Sequence, residues 1–586
     1  LLFMSLKTTF GLALASAAGL AMASCAGSDG AKMEYVAVQQ EADGNWSLYA
    51  PDGTLLYEDE FKNVPSAVIN GYFSVEEGKG YTLYKVGEKP EPVADCEGLK
   101  YVGYMADGLV PVTLPKERIS VVDGSGKRVF TLDPVGGKEI TYCSQGYSDG
   151  MLTVMAEDGN MGYVDTKGEY IVEPKYSTCN DFSEGLALVL KTIGEGEDAE
   201  TKYIVINKKG DEVFALKAGF APEMFKYGSG YLPVKDTNGH ILFYDKKGEV
   251  YFKSPNKVKG VGTYNDKMFA FYTEDGEWGV MDYQCETLVR PKYTHTQLMS
   301  DGRILAVDDK RADVFDDKGN TLYRIDDYNY VFYWEGFGLI AADKRTQTFL
   351  DENGKPIRSA EFNEVRASES ASYGVYSDYF NMAAVVSDVT SMITPKGVGE
   401  FVLGEAPSAH FSDPADYCYT STPDIPSLEK SGYHYTVSVQ AQFSSNMADY
   451  SYGFYGYDYR RTNYWRTGCQ LVGMRIFINT QTDWGNDGSL AIVKNLEGKG
   501  YASVATTAAD ASEFIALLRK DGILVTVSST KGASNGRVVV QKNTPETLAA
   551  IRDRIVAMGG KAGAPAEKST EQTEIVETAD TVAVEK

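Results

Sequence analysis

The side chains of this chain best suited to recognising a ligand are concentrated between Asp449 and Gly468, in DYSYGFYGYDYRRTNYWRTG. The segment contains six tyrosines, one phenylalanine and one tryptophan, interspersed with arginines. Exposed aromatic rings stack on sugars or partner proteins, and guanidinium groups add hydrogen bonds or anion contacts. The same alternation also fits packing across paired strands, so the segment predicts either a binding surface or a structural one. The candidate binding residues are Phe454, Tyr455, Tyr457, Tyr459, Arg460, Arg461, Tyr464 and Trp465.

Side chains for catalysis form no recognisable motif. The four histidines are far apart in sequence, and no GxSxG, HExxH, P-loop or GxGxxG pattern occurs. The segment 483–488, DWGNDG, has Gly485 at the third position of a calcium loop and Lys494 at the twelfth, where a bidentate Glu is required. We therefore predict no catalytic residue, no metal site and no cofactor, although a carboxylate pair assembled by folding stays open.

The first residues predict export. Residues 4–24 carry one positive charge, at Lys7, then an apolar run and small residues before Cys25; this is a secretory signal pattern, too short for a spanning helix. The residues Met22-Ala23-Ser24-Cys25 resemble the lipobox of bacterial lipoproteins. This resemblance implies that Cys25 is lipidated, that 1–24 are removed and that 25–33 form a tether, on the periplasmic or cell-surface side of the envelope. The alternative is a plain secreted protein.

Composition and charge limit the partners. With 43% hydrophobic and 24% charged residues, the chain is an ordinary water-soluble globular protein. A net charge of −25 argues against nucleic acid, and equally against an anionic lipid surface, because both attract Lys and Arg. The remaining cysteines show no zinc spacing and predict mostly buried free thiols, with Cys418 and Cys469 the only pair in which we would test for a disulfide. They are Cys96, Cys143, Cys179, Cys285, Cys418 and Cys469.

Two signals return together along the first two thirds of the chain. The first is an apolar strand that ends in Asp or Asn, followed in most copies by two variable residues and Gly. Such a residue caps a hairpin turn with its side-chain oxygen, and Gly accepts the positive φ that other residues resist. The second is a Gly-led alternating apolar run, as in EGLALV from Glu184, which predicts a strand with one buried face. The turn residues are Asp123, Asp165, Asn207, Asp245, Asp282, Asp316 and Asp351.

The clearest copy, residues 159–190, resembles the WG-repeat family. Trp278-Gly279 supplies the Trp-Gly strand in another copy, while Asp165, Gly168 and Pro174 match the turn and second strand. Tyr176, Phe182, Glu184 and Gly185 match the remaining family positions. The resemblance covers about residues 34–390 in eight or nine copies, and implies a repeat architecture more firmly than any ligand. The recurring aromatic residues are expected in the core.

These units predict a mainly β protein. Each unit has too few strands to bury a hydrophobic face alone, so neighbours must stack, either as a closed β-propeller, which we favour, or as an open β-solenoid. The N-terminal strand MEYVAVQQ is expected to share the last blade, with residues 383–386 as its partner. The predicted domains are the repeats at 34–395, a smaller domain at 396–560 that is β-rich and then α+β, and a disordered tail at 561–586.

The smaller domain carries its own predictions. Residues 489–496, 523–529 and 536–542 predict strands, and 510–520 predict an amphipathic helix. A second helix is predicted after Thr544, with Thr as N-cap, Pro545 at the first position and Gly559 at its end.

The sequence as a whole predicts a non-catalytic lipoprotein of a bacterial cell envelope, anchored through Cys25, whose repeat body presents a rigid surface to a protein or glycan. The alternative is an envelope glycan-processing enzyme with carboxylates on repeat loops. A purely structural spacer is the third possibility.

Overall fold

The computed structural model describes residues 33–562 except 40–43, 51, 195–199, 309–310, 327, 335–337, 344–345, 358–363, 367–373, 407–408, 411–424, 426–427, 445–469 and 482–483. The chain divides into two compact units, with the boundary between Tyr379 and Phe380. The boundary expected at residue 395 therefore falls inside the second unit.

The first unit is a succession of antiparallel sheets, in which a complete repeat is a meander of four strands A to D; repeats 1 and 9 each have three consecutive strands. Repeats 1 and 2 contain β1 (Met33–Gln39), β2 (Trp46–Tyr49), β3 (Leu55–Phe61), β4 (Val68–Ile69), β5 (Tyr72–Glu77), β6 (Gly80–Lys85) and β7 (Glu91–Pro92). Repeats 3 and 4 contain β8 (Tyr101–Val102), β9 (Leu109–Thr113), β10 (Ser120–Asp123), β11 (Arg128–Thr131), β12 (Ile140–Cys143), β13 (Met151–Ala156), β14 (Met161–Asp165) and β15 (Tyr170–Tyr176). Repeats 5 and 6 contain β16 (Thr178–Cys179), β17 (Leu186–Ile193), β18 (Glu200–Asn207), β19 (Glu212–Ala215), β20 (Ala221–Pro222), β21 (Leu232–Lys235), β22 (Ile241–Tyr244) and β23 (Val250–Lys253). Repeats 7 to 9 contain β24 (Gly260–Tyr264), β25 (Met268–Tyr272), β26 (Trp278–Asp282), β27 (Thr287–Tyr293), β28 (His295–Leu298), β29 (Ile304–Asp308), β30 (Arg311–Phe315), β31 (Thr321–Asp326), β32 (Tyr330–Trp334), β33 (Gly338–Asp343) and β34 (Thr346–Leu350).

The two ends of the repeat array meet in one sheet. Residues of β1 pair with β2 on one edge, and Ala37 to Gln39 pair on the other edge with β35 (Glu364–Arg366) from the far end of the array. This pairing supports the closed, propeller-like arrangement over an open solenoid. A last strand, β36 (Val375–Tyr376), adds to the free edge of β12.

The partner expected for β1 was wrong. Residues 383–386 lie in helix α1 (Met382–Met392), which begins where the side chain of Asn381 accepts a hydrogen bond from the Ala384 N–H. Val385, Val389 and Met392 are buried at a spacing of four and three residues, which fits one face of a helix. The apolar run therefore follows a helical period and not the alternation of a strand.

The predicted C–D turns are confirmed at all seven positions. In repeat 4, Oδ1 of Asp165 accepts hydrogen bonds from the N–H groups of Lys167 (2.8 Å) and Glu169 (2.9 Å), and Gly168 has φ of +88°. The same two N–H bonds recur at the other six caps. Cys285 takes the glycine position in repeat 7 and has φ of +68°.

The turn glycine also meets the preceding repeat. A Cβ on Gly168 would lie 2.8 Å from the ring of Phe130 on β11, and one on Gly319 would overlap the carbonyl of Leu288 on β27. In seven repeats the outer strand carries a β-bulge, which increases its twist, and in repeats 3, 4, 5, 7 and 8 this bulge lies beside the glycine contact. The bulge residues are Leu56, Val129, Ile171, Val213, Tyr251, Leu288 and Leu322. Each corner therefore fixes its own hairpin and the position of the next sheet.

Apolar side chains fill the space between successive sheets. Tyr163 of repeat 4 and Phe182 of repeat 5 are both buried, and their ring centroids lie 4.7 Å apart. Trp46 and Tyr176 are buried as well, which confirms the expected core role of the recurring aromatic residues.

The second unit is built on one eight-stranded antiparallel sheet in the order β40-β41-β42-β46-β45-β44-β43-β47. Its helices are α1, α2 (Gly485–Gly498) and α3 (Pro545–Ala557). Its strands are β37 (Ile393–Thr394), β38 (Gly397–Val398), β39 (Phe401–Val402), β40 (Lys430–Gly432), β41 (Tyr435–Phe443), β42 (Leu471–Thr480), β43 (Ala502–Thr506), β44 (Glu513–Lys520), β45 (Ile523–Thr530), β46 (Asn535–Lys542) and β47 (Lys561–Ala562).

Two predictions in this unit are wrong: one predicted strand is a helix, and one predicted helix is a strand. Residues 489–496 belong to α2 and not to a strand, because Ile492, Val493 and Leu496 share one buried helix face. Residues 513–520 form β44 and not a helix, because its apolar run is buried on both faces of the sheet. Phe514, Ala516 and Leu518 face one core, whereas Ile515 and Leu517 face the core under α3.

Lys561 and Ala562, expected in the disordered tail at 561–586, form β47 instead, and 563–586 lie outside the described residues. The predicted strands and helix between 523 and 559 are confirmed. Strands β45 and β46 cover 523–529 and 536–542, and α3 begins at Pro545 with Thr544 accepting from the Thr547 N–H. Gly559 follows its end with φ of +82°. Among the helices that the structure describes, none has the length and apolar character needed to cross a bilayer.

The corner contact predicts unequal costs for two glycine substitutions within repeat 8. Gly302→Ala, at φ of +88° with open space around its Cβ, is expected to cost about 1 kcal/mol in backbone strain. Gly319→Ala, at φ of +82°, adds the overlap with the Leu288 carbonyl, so its total should reach ~3 kcal/mol. Chemical denaturation measures both, and equal costs would contradict the contact.

An ion pair within repeat 8, in which the buried Asp313 also bonds to Tyr293 of repeat 7, predicts a pH-dependent contribution to stability. Asp313 accepts hydrogen bonds from Arg324 Nε (2.7 Å) and the Tyr293 hydroxyl (2.9 Å). Burial alone would raise the pKa of Asp313, but these bonds outweigh it and hold the pKa below its usual value. The stabilisation is therefore present above the unfolded pKa and is lost as pH falls through the lower folded value.

Asp313→Asn should cost about 1–2 kcal/mol at pH 7, and the difference from wild type should shrink towards pH 3. Urea denaturation at both pH values measures it. Asp317→Asn, at an exposed 3.4 Å pair with Lys267, is the control and should change little. An undiminished difference at pH 3 would contradict the assignment.

Candidate functional site

The site residues expected from the sequence lie outside the described part of the chain. This holds for Cys25 and for the aromatic segment, and also for Cys418 and Cys469. The binding residues concerned are Phe454, Tyr455, Tyr457, Tyr459, Arg460, Arg461, Tyr464 and Trp465. Their roles stay predictions.

The four histidines have separate local partners. His240 Nε2 lies 2.8 Å from Oδ1 of Asn256, and His434 Nδ1 lies 2.8 Å from Oε1 of Gln481. His410 Nε2 lies 2.7 Å from a carboxylate oxygen of Glu405. The His295 ring packs on Trp278 with centroids 5.1 Å apart, and desolvation lowers the pKa of His295. In the described ranges, no three His, Cys, Asp or Glu side chains gather as a metal site.

The described cysteines are free thiols, as predicted. Cys96, Cys143 and Cys179 are buried, and Cys285 is exposed. Burial raises the pKa of Cys96 to about 11 and the pKa of Cys179 to about 12, so neither is a reactive thiolate at neutral pH.

One face of the repeat array gathers most of the tightly held turns. In a meander of four antiparallel strands, the A–B and C–D turns lie at the same end of the strands, and the B–C turn lies at the opposite end. We call these the AB face and the BC face. The A–B turn of repeat 4 has positive φ at two consecutive residues, Asp149 (+53°) and Gly150 (+77°), which is the type I′ hairpin geometry. Asp107-Gly108, Glu184-Gly185 and Ser229-Gly230 repeat it.

Acidic side chains link these A–B turns from repeat to repeat. Oδ2 of Asp107 accepts the N–H of Gly150 at 3.0 Å, and Oδ2 of Asp149 accepts the N–H of Gly185 at 2.5 Å. Oε2 of Glu184 accepts the N–H of Gly230 at 2.9 Å. Each of these carboxylates therefore positions the neighbouring turn.

Further bonds reinforce this ladder. Lys208 Nζ lies 3.1 Å from Asp149, and Lys246 Nζ lies 3.0 Å from Glu184. Beneath them, the buried Ser148 hydroxyl donates to the Phe182 carbonyl at 2.8 Å. The AB face of repeats 3 to 6 is thus held at both its surface and its base.

Repeat 6 interrupts the ladder. Its A–B turn carries Ser229, whose short side chain makes no bond of this kind within the described residues. An aromatic cluster joins repeats 6 and 7 instead. The Tyr264 hydroxyl donates to the Tyr231 carbonyl at 3.0 Å, and the Tyr283 hydroxyl donates to the Asn265 carbonyl at 2.9 Å.

Two of these tyrosines, Tyr231 and Tyr283, form with Tyr251 what we call the tyrosine platform. The rings of Tyr231 and Tyr251 are stacked, with centroids 4.6 Å apart and planes 23° apart. Tyr283 meets Tyr251 edge-on at 5.5 Å and is only 9% exposed, whereas Tyr251 is 53% exposed. Burial, and then the hydrogen bond with Tyr251, raise the pKa of Tyr231. The platform holds an open aromatic ring against a rigid support.

Sequence reasoning missed this platform because its members are far apart along the chain. One signal was present: the bulge position that holds an aliphatic residue in six other repeats holds Tyr251 in repeat 6. The platform residues can stack and form hydrogen bonds, but they do not provide a nucleophile paired with a general base.

The comparisons with known proteins support the repeat. A family model described as WG containing repeat matches residues 161–192, the copy that spans repeats 4 and 5. No curated protein matches the chain.

Solved structures of low similarity were also found. BamB from Moraxella catarrhalis is 12% identical, with 55% of this chain and 95% of that chain covered and a TM-score of 0.27. Sqt1 from Saccharomyces cerevisiae is 10% identical, with 51% and 93% covered and a TM-score of 0.26. Hsv2 from Kluyveromyces lactis is 11% identical, with 45% and 94% covered and a TM-score of 0.25.

The platform predicts different costs for removing two hydroxyl groups. Tyr283→Phe removes a buried hydrogen bond to Asn265 and should cost about 1 kcal/mol of unfolding free energy. Tyr251→Phe, at the exposed ring, should change stability by less than ~0.5 kcal/mol. Denaturant unfolding compares them, and a larger cost at Tyr251 would show that its hydroxyl, and not that of Tyr283, makes the stabilising hydrogen bond.

Proposed function

We propose that this protein is a non-catalytic binding protein of a bacterial cell envelope, which docks a partner protein on the AB face of its repeat unit. The observation that carries the proposal is the ladder of hydrogen bonds from Asp107 to Gly230. It holds a broad surface of turns in place, and its carboxylates are engaged with backbone N–H groups and not arranged for catalysis.

Rigidity is the physical advantage of this face. Ordering a mobile loop on binding costs conformational free energy. Turns that hydrogen bonds already hold in place avoid this cost. Here the A–B turns are tied to the next repeat and the C–D turns are capped by their own Asp or Asn. A partner therefore meets a preformed surface.

Attachment to the membrane is the second part of the proposal. Cys25 receives the lipid, residues 25–33 act as the tether, and the repeat unit stands beyond it. The support is the signal-like segment and the lipobox-like residues before Cys25.

Site-specific photo-cross-linking of the full chain in its host tests the docking face. A photoreactive residue is placed at Lys209 in a C–D turn of the AB face, and at Glu274 in a B–C turn as the control; both side chains are exposed. We expect a discrete protein adduct from position 209 and none from 274. Equal adducts, or none at 209, would contradict the proposal.

Metabolic labelling with a fatty-acid precursor tests the anchor. Wild type and Cys285→Ala, which removes an exposed thiol elsewhere, should incorporate label equally. Cys25→Ala should incorporate none, and label retained in that variant would remove lipidation at Cys25 from the account.

A further inference from the structure

The tyrosine platform indicates what kind of partner surface the AB face receives. We infer that it binds a basic, arginine-containing segment of the partner protein, with a guanidinium group stacked on Tyr251. This inference rests on the proposed docking function and adds the chemistry of the partner to it.

The geometry offers one free aromatic face. Tyr231 covers one side of the Tyr251 ring at 4.6 Å, and Tyr283 supports its edge at 5.5 Å. More than half of Tyr251 nevertheless remains exposed, at 53%. A planar guanidinium stacks on such a ring by combined cation–π and dispersion attraction.

The platform is not a requirement of the repeat. The equivalent bulge residues are Val129, Ile171, Val213, Leu288 and Leu322, together with Leu56. All are aliphatic, so the hairpin forms without an aromatic ring there. The aromatic ring at this position is therefore specific to repeat 6 among these seven repeats.

The charges around the platform select a cation. Asp245 and Glu249 belong to the C–D turn that leads into the strand of Tyr251, and Asp266 belongs to the next A–B turn. Glu249 and Asp266 are exposed and have no ion-pair partner within the part of the chain that the structure describes. Of the nearby cations, Lys246 is paired with Glu184 at 3.0 Å, Lys267 with Asp317 at 3.4 Å and Lys253 with Asp236 at 3.8 Å, which leaves Lys247. The local balance is negative, as is the whole chain at −25.

This balance separates the candidate partners. A neutral sugar also stacks on tyrosine and donates hydroxyl hydrogen bonds to carboxylates, but it gains no attraction from the net charge. An anionic partner is repelled by both. A basic segment gains the stacking contact, charge-assisted hydrogen bonds and attraction at long range, so its association falls as salt is added.

Binding of a synthetic peptide of alternating Gly and Arg to the full chain tests the inference by isothermal titration calorimetry. The comparison ligands are a Gly-Glu peptide of equal length and a neutral chitin oligosaccharide. We expect the Gly-Arg peptide alone to bind, with affinity at least 10-fold lower at 500 mM than at 50 mM salt.

Matched variants locate the binding. Tyr251→Ala should weaken the Gly-Arg peptide about 10-fold and Asp266→Asn about 3-fold. Tyr251→Phe should stay within 2-fold of wild type, because it keeps the ring. Val129→Ala, at the same bulge position in repeat 3, should bind as wild type. The inference would be overturned if Tyr251→Ala bound the Gly-Arg peptide with the affinity of the wild type, or if the oligosaccharide bound independently of salt.

The cross-link at position 209 separates this inference from the proposed function. An adduct that persists while the Gly-Arg peptide neither binds nor competes would leave the docking face and remove the basic partner. If the adduct at position 209 is absent but the Gly-Arg peptide still binds at Tyr251, the proposed docking face is removed and the basic ligand is retained.

Discussion

The repeat unit depends on one contact, made in most repeats by the glycine of the C–D turn against the outer strand of the preceding sheet; in repeat 7, Cys285 holds the glycine position. A single residue there satisfies two constraints, a left-handed backbone and the absence of a Cβ, as Gly319 shows against the Leu288 carbonyl. The β-bulge beside it supplies the twist that brings the next corner into place. Because the contact recurs, each hairpin is folded and positioned by the same few atoms, and the array continues until β1 and β35 meet.

Rigidity of the AB face follows from that spacing. Corners held at a fixed distance allow a short acidic side chain on one A–B turn to reach the backbone of the next, as Asp149 reaches Gly185. Where the acid becomes Ser229, tyrosines join the two sheets and leave Tyr251 partly open. A structural substitution at one link thus coincides with the surface most suited to recognition.

Much of the fold could be predicted from the sequence because its signals are local. The turn caps at Asp165 and its equivalents, and the N-cap Thr544 followed by Pro545, act within a few residues. One error arose where burial on two faces decides the outcome: Phe514 to Leu518 is apolar at every position, which a strand between two cores explains and a local pattern does not. At 383–386 and 489–496, short apolar runs that suggested strands belong to helices with one buried face. The tyrosine platform combines residues 231, 251 and 283, which only the closed array brings together. Cys25 and the aromatic segment around Tyr459 remain predictions.

The pairing of the two ends of the array tests the central claim most directly, because an open series of hairpins would leave them apart. Gln39 and Glu364 face each other across β1 and β35. Paired residues of an antiparallel ladder have Cα atoms about 4.5–5.5 Å apart, within the range of a disulfide. In the double variant Gln39→Cys with Glu364→Cys, mass spectrometry after mild oxidation should find a disulfide between these two positions within one chain. Two free thiols at these positions, in a folded protein, would contradict the closed array.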